Sequence, residues 1–171
     1  MCDMVMTMNE IVLSNGMVTL IDDEDYDLVS SFRWNPRKDL NTYYAECHIP
    51  SDTTRDGRTS LLLHRLIMGE PEGLQVDHED GNGLNNQRSN LRIASPTQNQ
   101  GNARRRKDNT SGYKGVSWYR RTNKWKAHIR VDKKLRHLGY FIDLTDAARA
   151  YDAAALEHFG EFAHLNFPGG D

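Results

Sequence analysis

The sequence predicts an α+β protein made of small antiparallel sheets and a few helices. Three observations lead there. An Asn-Gly pair, Asn15-Gly16, sits between two apolar runs, the strongest short-range hairpin signal. Two short apolar runs, LQVDH and LRIA, bracket a loop rich in glycine and asparagine and lead into a marked helix start. Residues 124–131 then alternate apolar and basic before an alanine-rich helical stretch.

Taken in order, residues 10–22 read as two strands around Ser14-Asn15-Gly16. Asp22, Asp23, Glu24, Asp25 and Asp27 follow, just ahead of YDLVSSF, a short helix; acids at a helix start suit its dipole. TYYAECHI reads as a strand, and RTSLLLHRLIM as a strand passing into a helix. LQVDH and LRIA are strands, and Ser95 as N-cap, Pro96 at N1 and Gln98 at N3 announce a capping box. Residues 101–112 lose apolar character and predict a hinge. Beyond it, YKGVSWY, KWKAHIRVD and LRHLGYF form a three-stranded antiparallel sheet. Trp125, Ala127, Ile129 and Val131 face its core, and Lys124, Lys126, His128 and Arg130 face outward. A helix with Thr145 as N-cap and Gly160 as stop covers the sheet through Ala147, Ala148, Tyr151, Ala154 and Ala155. The expected division is 1–58 as a β-rich scaffold, 59–107 as a catalytic core with the start of a linker, and 108–171 as a sheet-and-helix binding domain.

Composition narrows the function. The 171 residues carry a net charge of −2, unevenly spread. Residues 101–140 hold 13 basic against 2 acidic side chains, whereas the segments on either side are acidic. A basic block interleaved with Tyr113, Trp118, Tyr119 and Trp125 is a folded cationic surface suited to nucleic acid. On the apolar side of the alternation, Trp118 and Trp125 read as core. Cys2 and Cys47 make no disulfide framework and no CxxC zinc site, so both are expected as reduced thiols. No long apolar run or secretory leader is read, and the expected location is the cytoplasm.

The segment from 75 to 102 holds an Asp-His pair and six asparagines. Hydrolysing a phosphodiester needs an activated water, charge stabilisation at phosphorus and help for the leaving 3′ oxygen. A neutral histidine can accept the proton from water, and a carboxylate with an amide oxygen can hold a hard divalent cation. Asp77 and His78 are neighbours on a strand, so a strand end or bulge is expected to re-aim one of them. Asn99, early in the capped helix, offers an amide oxygen.

VDHEDGNGLNNQRSNLRIASPTQNQGN resembles the HNH homing-endonuclease motif of phage and intron-encoded enzymes, a branch of the ββα-metal (His-Me finger) nucleases. The resemblance implies His78 as general base, Asp77 and Asn99 as ligands of Mg2+ or Mn2+, and Asn90 as the residue that holds the loop and orients His78. Asn82, Asn85 and Asn86 become loop formers. Upstream, LLLHRLIMG fits the same subfamily. His64 there reads as structural or as a phosphate contact, and Arg65 as a phosphate clamp or the partner of an acid. The implied fold is a ββα-metal nuclease core plus a three-stranded antiparallel sheet packed on one helix.

The C-terminal stretch, through YKGV, KWKAHIR, LGYF, AARAYDAAA and LNFP, resembles the Apetala2 and ethylene-response-factor DNA-binding domain. That resemblance places Lys114, Tyr119, Lys124, Lys126, His128, Arg130 and His137 on a surface that docks in the major groove. Ser117, Leu135 and His137 stand where the plant pattern has arginines and a tryptophan. Arg104, Arg105, Arg106 and Lys107 continue the nuclease helix or form a linker, following the DNA backbone in either case. The expected partner is double-stranded DNA, with no membrane and no small-molecule substrate, and the chain acts as a monomer or a dimer. The alternative is a catalytically inactive DNA-binding regulator. An RNA-binding module would need an exposed aromatic platform, which the alternation does not display.

Overall fold

The computed structural model describes residues 8–39, 42–55, 57–105 and 108–169, and they form two compact units that divide between Ala94 and Ser95. Among the described residues no helix is long and apolar enough to cross a membrane.

The first unit opens with β1 (Met8–Val12) and β2 (Val18–Asp22), paired antiparallel with Val12 opposite Val18. A 3₁₀ turn at Asp23–Asp25 leads into the one-turn helix α1 (Tyr26–Val29). A second sheet has the order β3 (Asn35–Lys38), β4 (Tyr43–Pro50), β5 (Arg58–Leu62). Strand β3 is not among the strands expected from the sequence, and Pro36 within it cannot donate to a ladder. The structure accommodates Pro36 by placing β3 at the sheet edge. The short helix α2 (Leu63–Ile67) follows β5 directly, and β6 (Gln75–His78) then pairs with β7 (Leu91–Ala94).

Ile21, Val29, Trp34, Ala45, Cys47, Leu63, Ile67, Val76 and Leu91 lie in one apolar cluster, so both sheets, two helices and the β6–β7 hairpin share a core. Trp34 is 1% exposed, and its indole N–H donates to the Val29 carbonyl at 2.9 Å. Cys47 is a buried free thiol, and Cys2 lies outside the described residues.

The second unit starts with α3 (Pro96–Asn102), whose capping box between Ser95 and Gln98 forms as the sequence predicts. Strands β8 (Val116–Tyr119), β9 (Lys124–Val131) and β10 (Lys134–Phe141) make an antiparallel sheet in the order β10-β9-β8. Asp132 and Lys133, both at positive φ, form the two-residue turn between β9 and β10. Helix α4 (Leu144–Phe159) covers the sheet with Ala147, Ala148, Tyr151, Ala154 and Ala155, all buried. Its N-cap is Asp143 rather than Thr145: the Asp143 carboxylate accepts the backbone N–H groups of Thr145 and Asp146. The segment after α4 is stapled by Asp152, which accepts from the backbone N–H groups of Asn166 and Phe167 at 2.8 and 2.9 Å.

The division at 94/95 departs from the expected hinge at 101–112, and the reason is Gly101. A Cβ there would lie 2.6 Å from the Phe159 ring, so α3 rests directly on α4. The Gly101 carbonyl also accepts from the His164 N–H at 3.1 Å and from the Lys114 ammonium at 2.7 Å.

Gly115 combines a φ of +74° with backbone set directly against the Tyr151 ring. Gly115→Ala is expected to destabilise the second unit by about 2–3 kcal/mol, from overpacking and left-handed strain together. Urea denaturation followed by far-UV dichroism measures this, and a midpoint shift worth less than about 0.5 kcal/mol would contradict the packing described.

Candidate functional site

Strands β6 and β7 pair in unbroken register: Val76 opposite Ile93, Asp77 opposite Arg92, His78 opposite Leu91. The pair contains no bulge, and His78 is the last residue of β6. Alternation sends Asp77 and His78 to opposite faces, yet both are 5% exposed because both faces are covered. On one side Asp77 accepts from the Arg92 guanidinium at 2.6 Å, and Arg92 also reaches Glu79 at 3.7 Å. On the other side His78 joins Tyr44 and His64 in a three-ring cluster. Its ring centroid lies 4.9 Å from that of His64, edge to face, and 5.7 Å from that of Tyr44.

The asparagines divide into two tasks. Asp80, Asn82, Asn85 and Asn90 build the loop. The Asp80 carboxylate accepts from the Asn82 N–H at 2.7 Å, from the Asn85 amide at 2.9 Å and from the Asn90 amide at 3.0 Å. Asn90 in turn accepts the Asp80 N–H at 3.0 Å and donates to the Asn85 carbonyl at 2.8 Å. These bonds hold Asp80 below the usual carboxylate range, outweighing the opposing effect of its partial desolvation. Asn90 thus closes the loop, but the side chain that meets His78 is Asn86. The sequence reading gave the orienting contact to Asn90 and counted Asn86 among the loop formers; here the two exchange that part of their roles.

Asn86 is 0% exposed. Its amide nitrogen donates to the Thr19 hydroxyl at 2.7 Å, and that hydroxyl donates to the Leu84 carbonyl at 2.8 Å. The direction of this chain turns the Asn86 amide oxygen towards His78 Nε2, 3.0 Å away. An amide oxygen only accepts, so Nε2 carries the proton and Nδ1 is the basic nitrogen of the ring. Burial is the largest influence on His78 and moves its pKa down, so the ring is held neutral.

The acidic cluster at 22–25 has a different task from the helix-dipole role expected of it. Asp25, 2% exposed, accepts two bonds from the Arg88 guanidinium, at 2.9 and 2.6 Å. Asp22 takes the Arg88 backbone N–H at 2.7 Å, and Glu24 pairs with the same guanidinium at 2.9 Å. The acids clamp the loop just ahead of Asn90. Nothing local in the sequence links Thr19 to Asn86 or Asp25 to Arg88, since each pair is more than 60 residues apart.

Other expected site residues fall as follows. His64 is buried at 6% exposure and its pKa is pushed down to about 3, first by burial and then by its neighbours His78, Arg65 and Arg37, which oppose a second positive charge there. All three side-chain nitrogens of Arg65 bond within the 69–74 turn, to Glu70, Leu74 and Pro71, a structural use rather than a phosphate clamp. Asn99 belongs to α3 in the second unit, its N–H bonded to the Ser95 carbonyl at 3.0 Å. Among the described residues no three His, Cys, Asp or Glu side chains gather as a metal-binding group.

In the second unit, Ala127, Ile129 and Val131 are buried, whereas Lys124, Lys126, His128 and Arg130 alternate onto the other face of β9. Tyr119 lies opposite Lys124 and His137 opposite His128, which puts both on that face. Lys114 departs from expectation. Its ammonium is tied to the Gly101 carbonyl and lies 5.7 Å from the centre of the Tyr151 ring, and burial lowers its pKa to about 8. It serves the interior rather than the contacting surface. Helix α3 ends at Asn102, so Arg104 and Arg105 follow it as exposed, non-helical chain; Arg106 and Lys107 lie outside the described residues. Trp125 packs on the core, but Trp118 is 45% exposed and meets Trp125 edge to face at 4.9 Å.

Residues 62–100 match a family described as HNH endonuclease. The chain is 37% identical over 95 residues to Protein 3.8 of Escherichia phage T7, a match covering 56% of this chain and 78% of that protein. It is 38% identical over 112 residues to an HNH endonuclease of Acanthamoeba polyphaga mimivirus, covering 62% of this chain and 57% of the relative. A shorter similarity, 47% over 62 residues, links it to the AP2-like ethylene-responsive transcription factor TOE2 of Arabidopsis thaliana. That match covers 36% of this chain and only 13% of the plant protein.

The depressed His64 pKa has a signed consequence for stability. Below its ordinary value of 6.5 the unfolded chain binds a proton that the folded chain refuses until about pH 3. Stability is therefore complete above pH 6.5 and falls as the pH drops through the interval. His64 alone is expected to remove about 2 kcal/mol between pH 7 and pH 5. Urea midpoints across that range should decline, and less steeply for His64→Phe; equal slopes in the two proteins would refute the assignment.

Proposed function

Because residues 62–100 match the HNH endonuclease family, we propose that this chain is a metal-dependent endonuclease that hydrolyses phosphodiester bonds in duplex DNA. The observation that carries the proposal is the directed hydrogen-bond chain from Leu84 through Thr19 and Asn86 to His78. It leaves a neutral imidazole whose Nδ1 is the basic nitrogen, the form a general base requires. His78 takes the proton from the attacking water, and the network on Nε2 supports the imidazolium as it forms. Attack in line at phosphorus leaves a 5′ phosphate and a 3′ hydroxyl.

Asp77 and Asn99 are the residues that would hold Mg2+ or Mn2+. A carboxylate and an amide are hard oxygen donors suited to these ions, and Asp77 would exchange its ion pair with Arg92 for the ion. Such an ion, when bound, supplies Lewis-acid stabilisation to the phosphoryl oxygens and the departing 3′ oxygen. Asn90 and Asp80 keep the loop closed around the base.

The second unit anchors the enzyme on DNA, a reading supported by its cationic sheet face and by the similarity to the plant factor. Lys124, Lys126 and Arg130 supply phosphate contacts, so affinity falls steeply with salt, by about 0.9 log units per log unit of salt for each phosphate neutralised. The family resemblance adds a freestanding homing role in a phage genome.

Supercoiled plasmid incubated with Mg2+ tests the proposal. Wild type is expected to yield nicked or linear DNA, and His78→Ala and Asp77→Ala to lose that activity. Asn86→Ala, which frees the ring from its orienting acceptor, should slow cleavage about 100-fold. Cleavage that persists at wild-type rate in His78→Ala would sink the mechanism.

A further inference from the structure

The face of β9 that points away from α4 carries Lys124, Lys126, His128 and Arg130, and no strand of its sheet contains an aspartate or glutamate. The same face also carries aromatic rings, which simple alternation along the sequence does not reveal. His137 and Tyr140 are three positions apart, and in a regular strand they would point to opposite sides. Strand β10 has a bulge between His137 and Gly139, with Leu138 as the extra residue. The bulge resets the period: His137 stands opposite His128, and Tyr140 opposite Lys126. Both therefore join the cationic face.

Tyr119, opposite Lys124 on β8, completes the group. Strands β8 and β10 are the two edges with β9 between them, about 10 Å apart at ordinary strand spacing. The Tyr119 and Tyr140 ring centres are nevertheless only 5.1 Å apart, with planes 31° from one another. The two side chains must lean across β9 and lie over it. The His137 ring continues the row at 4.5 Å from Tyr140. Tyr140 is 42% exposed and His137 is exposed as well.

We propose that this row is a stacking platform for unpaired bases, so that the sheet face takes a single-stranded DNA segment in addition to duplex. Rings spread over a sheet and flanked by lysine and arginine are what a strand with free bases needs: a π-surface for each base and cations for the phosphates between them. Duplex DNA, whose bases are already stacked on one another, uses the cations alone. The proposal rests on the reading of this chain as a DNA enzyme, whose substrate exposes unpaired bases once a strand is cut and frayed.

The test is fluorescence anisotropy of the full chain, without divalent metal, on a labelled 20-nucleotide single strand and on the blunt duplex of the same sequence. Tyr140→Leu removes the central ring of the row, and Tyr140→Phe keeps it. The Leu variant is expected to weaken single-strand binding about tenfold while duplex binding changes less than about threefold, with the Phe variant close to wild type. Single-strand binding unchanged in the Leu variant, or both DNA forms weakened alike, overturns the platform. Absence of binding to either form by wild type overturns the DNA reading with it, whereas intact duplex binding with no single-strand effect overturns the platform alone.

Discussion

Asn86 is shut away from water, so each polar atom of its side chain must find a partner inside the protein. That single constraint organises the first unit. The amide nitrogen can be satisfied only by something that accepts, and the Thr19 hydroxyl accepts because its own proton goes to the Leu84 carbonyl. The amide oxygen is then committed to His78. A reversed amide would set acceptor against acceptor at Thr19, leaving a buried group unsatisfied at a cost of about 1–3 kcal/mol. The backbone repeats the tie, since Leu20 and Asn86 exchange bonds with Leu84 and Leu20 at 2.8 Å each. The N-terminal hairpin, the asparagine loop and the imidazole are therefore one hydrogen-bonded object.

The charged groups reinforce this object from outside. Asp25 is buried and would be costly alone, but Arg88 meets it with two bonds and remains partly in water itself. Asp22 adds a bond to the Arg88 backbone. The loop is gripped at one end by these acids, and at the other by Asp80 and Asn90 closing on each other. What emerges is a rigid support beneath a short strand end, the arrangement a positioned side chain requires.

Much of this was legible in the sequence, and the failures have physical causes. Local signals held: the Asn15-Gly16 turn, the Ser95–Gln98 capping box, the alternation of β9 and the alanine stripe of α4 all depend on neighbours within a few residues. Strand β3, not among the expected strands, carries Pro36, whose penalty vanishes at a sheet edge. The N-cap of α4 moved by two residues because Asp143 competes better than Thr145 for the same N–H groups. Position 86 was recognisable as part of a motif, but its exchange with position 90 depends on Thr19, which no local pattern connects to it. Lys114 reads as a surface cation in any charge count, and only the carbonyl of Gly101 draws it inward. The row of rings on the second sheet needed the bulge at Leu138, a one-residue slip that sequence periodicity cannot show.

The bond between Thr19 and Asn86 also constrains the order in which the protein can come into being. A hydroxyl on β2 must wait for an amide 67 residues later, and closing so long a loop carries an entropic cost that only the complete unit recovers. A nascent chain that has emerged only as far as β5 holds Thr19 but neither His78 nor the loop that aims it. The alignment of the base is thus a property of the finished unit, absent from every shorter piece of it.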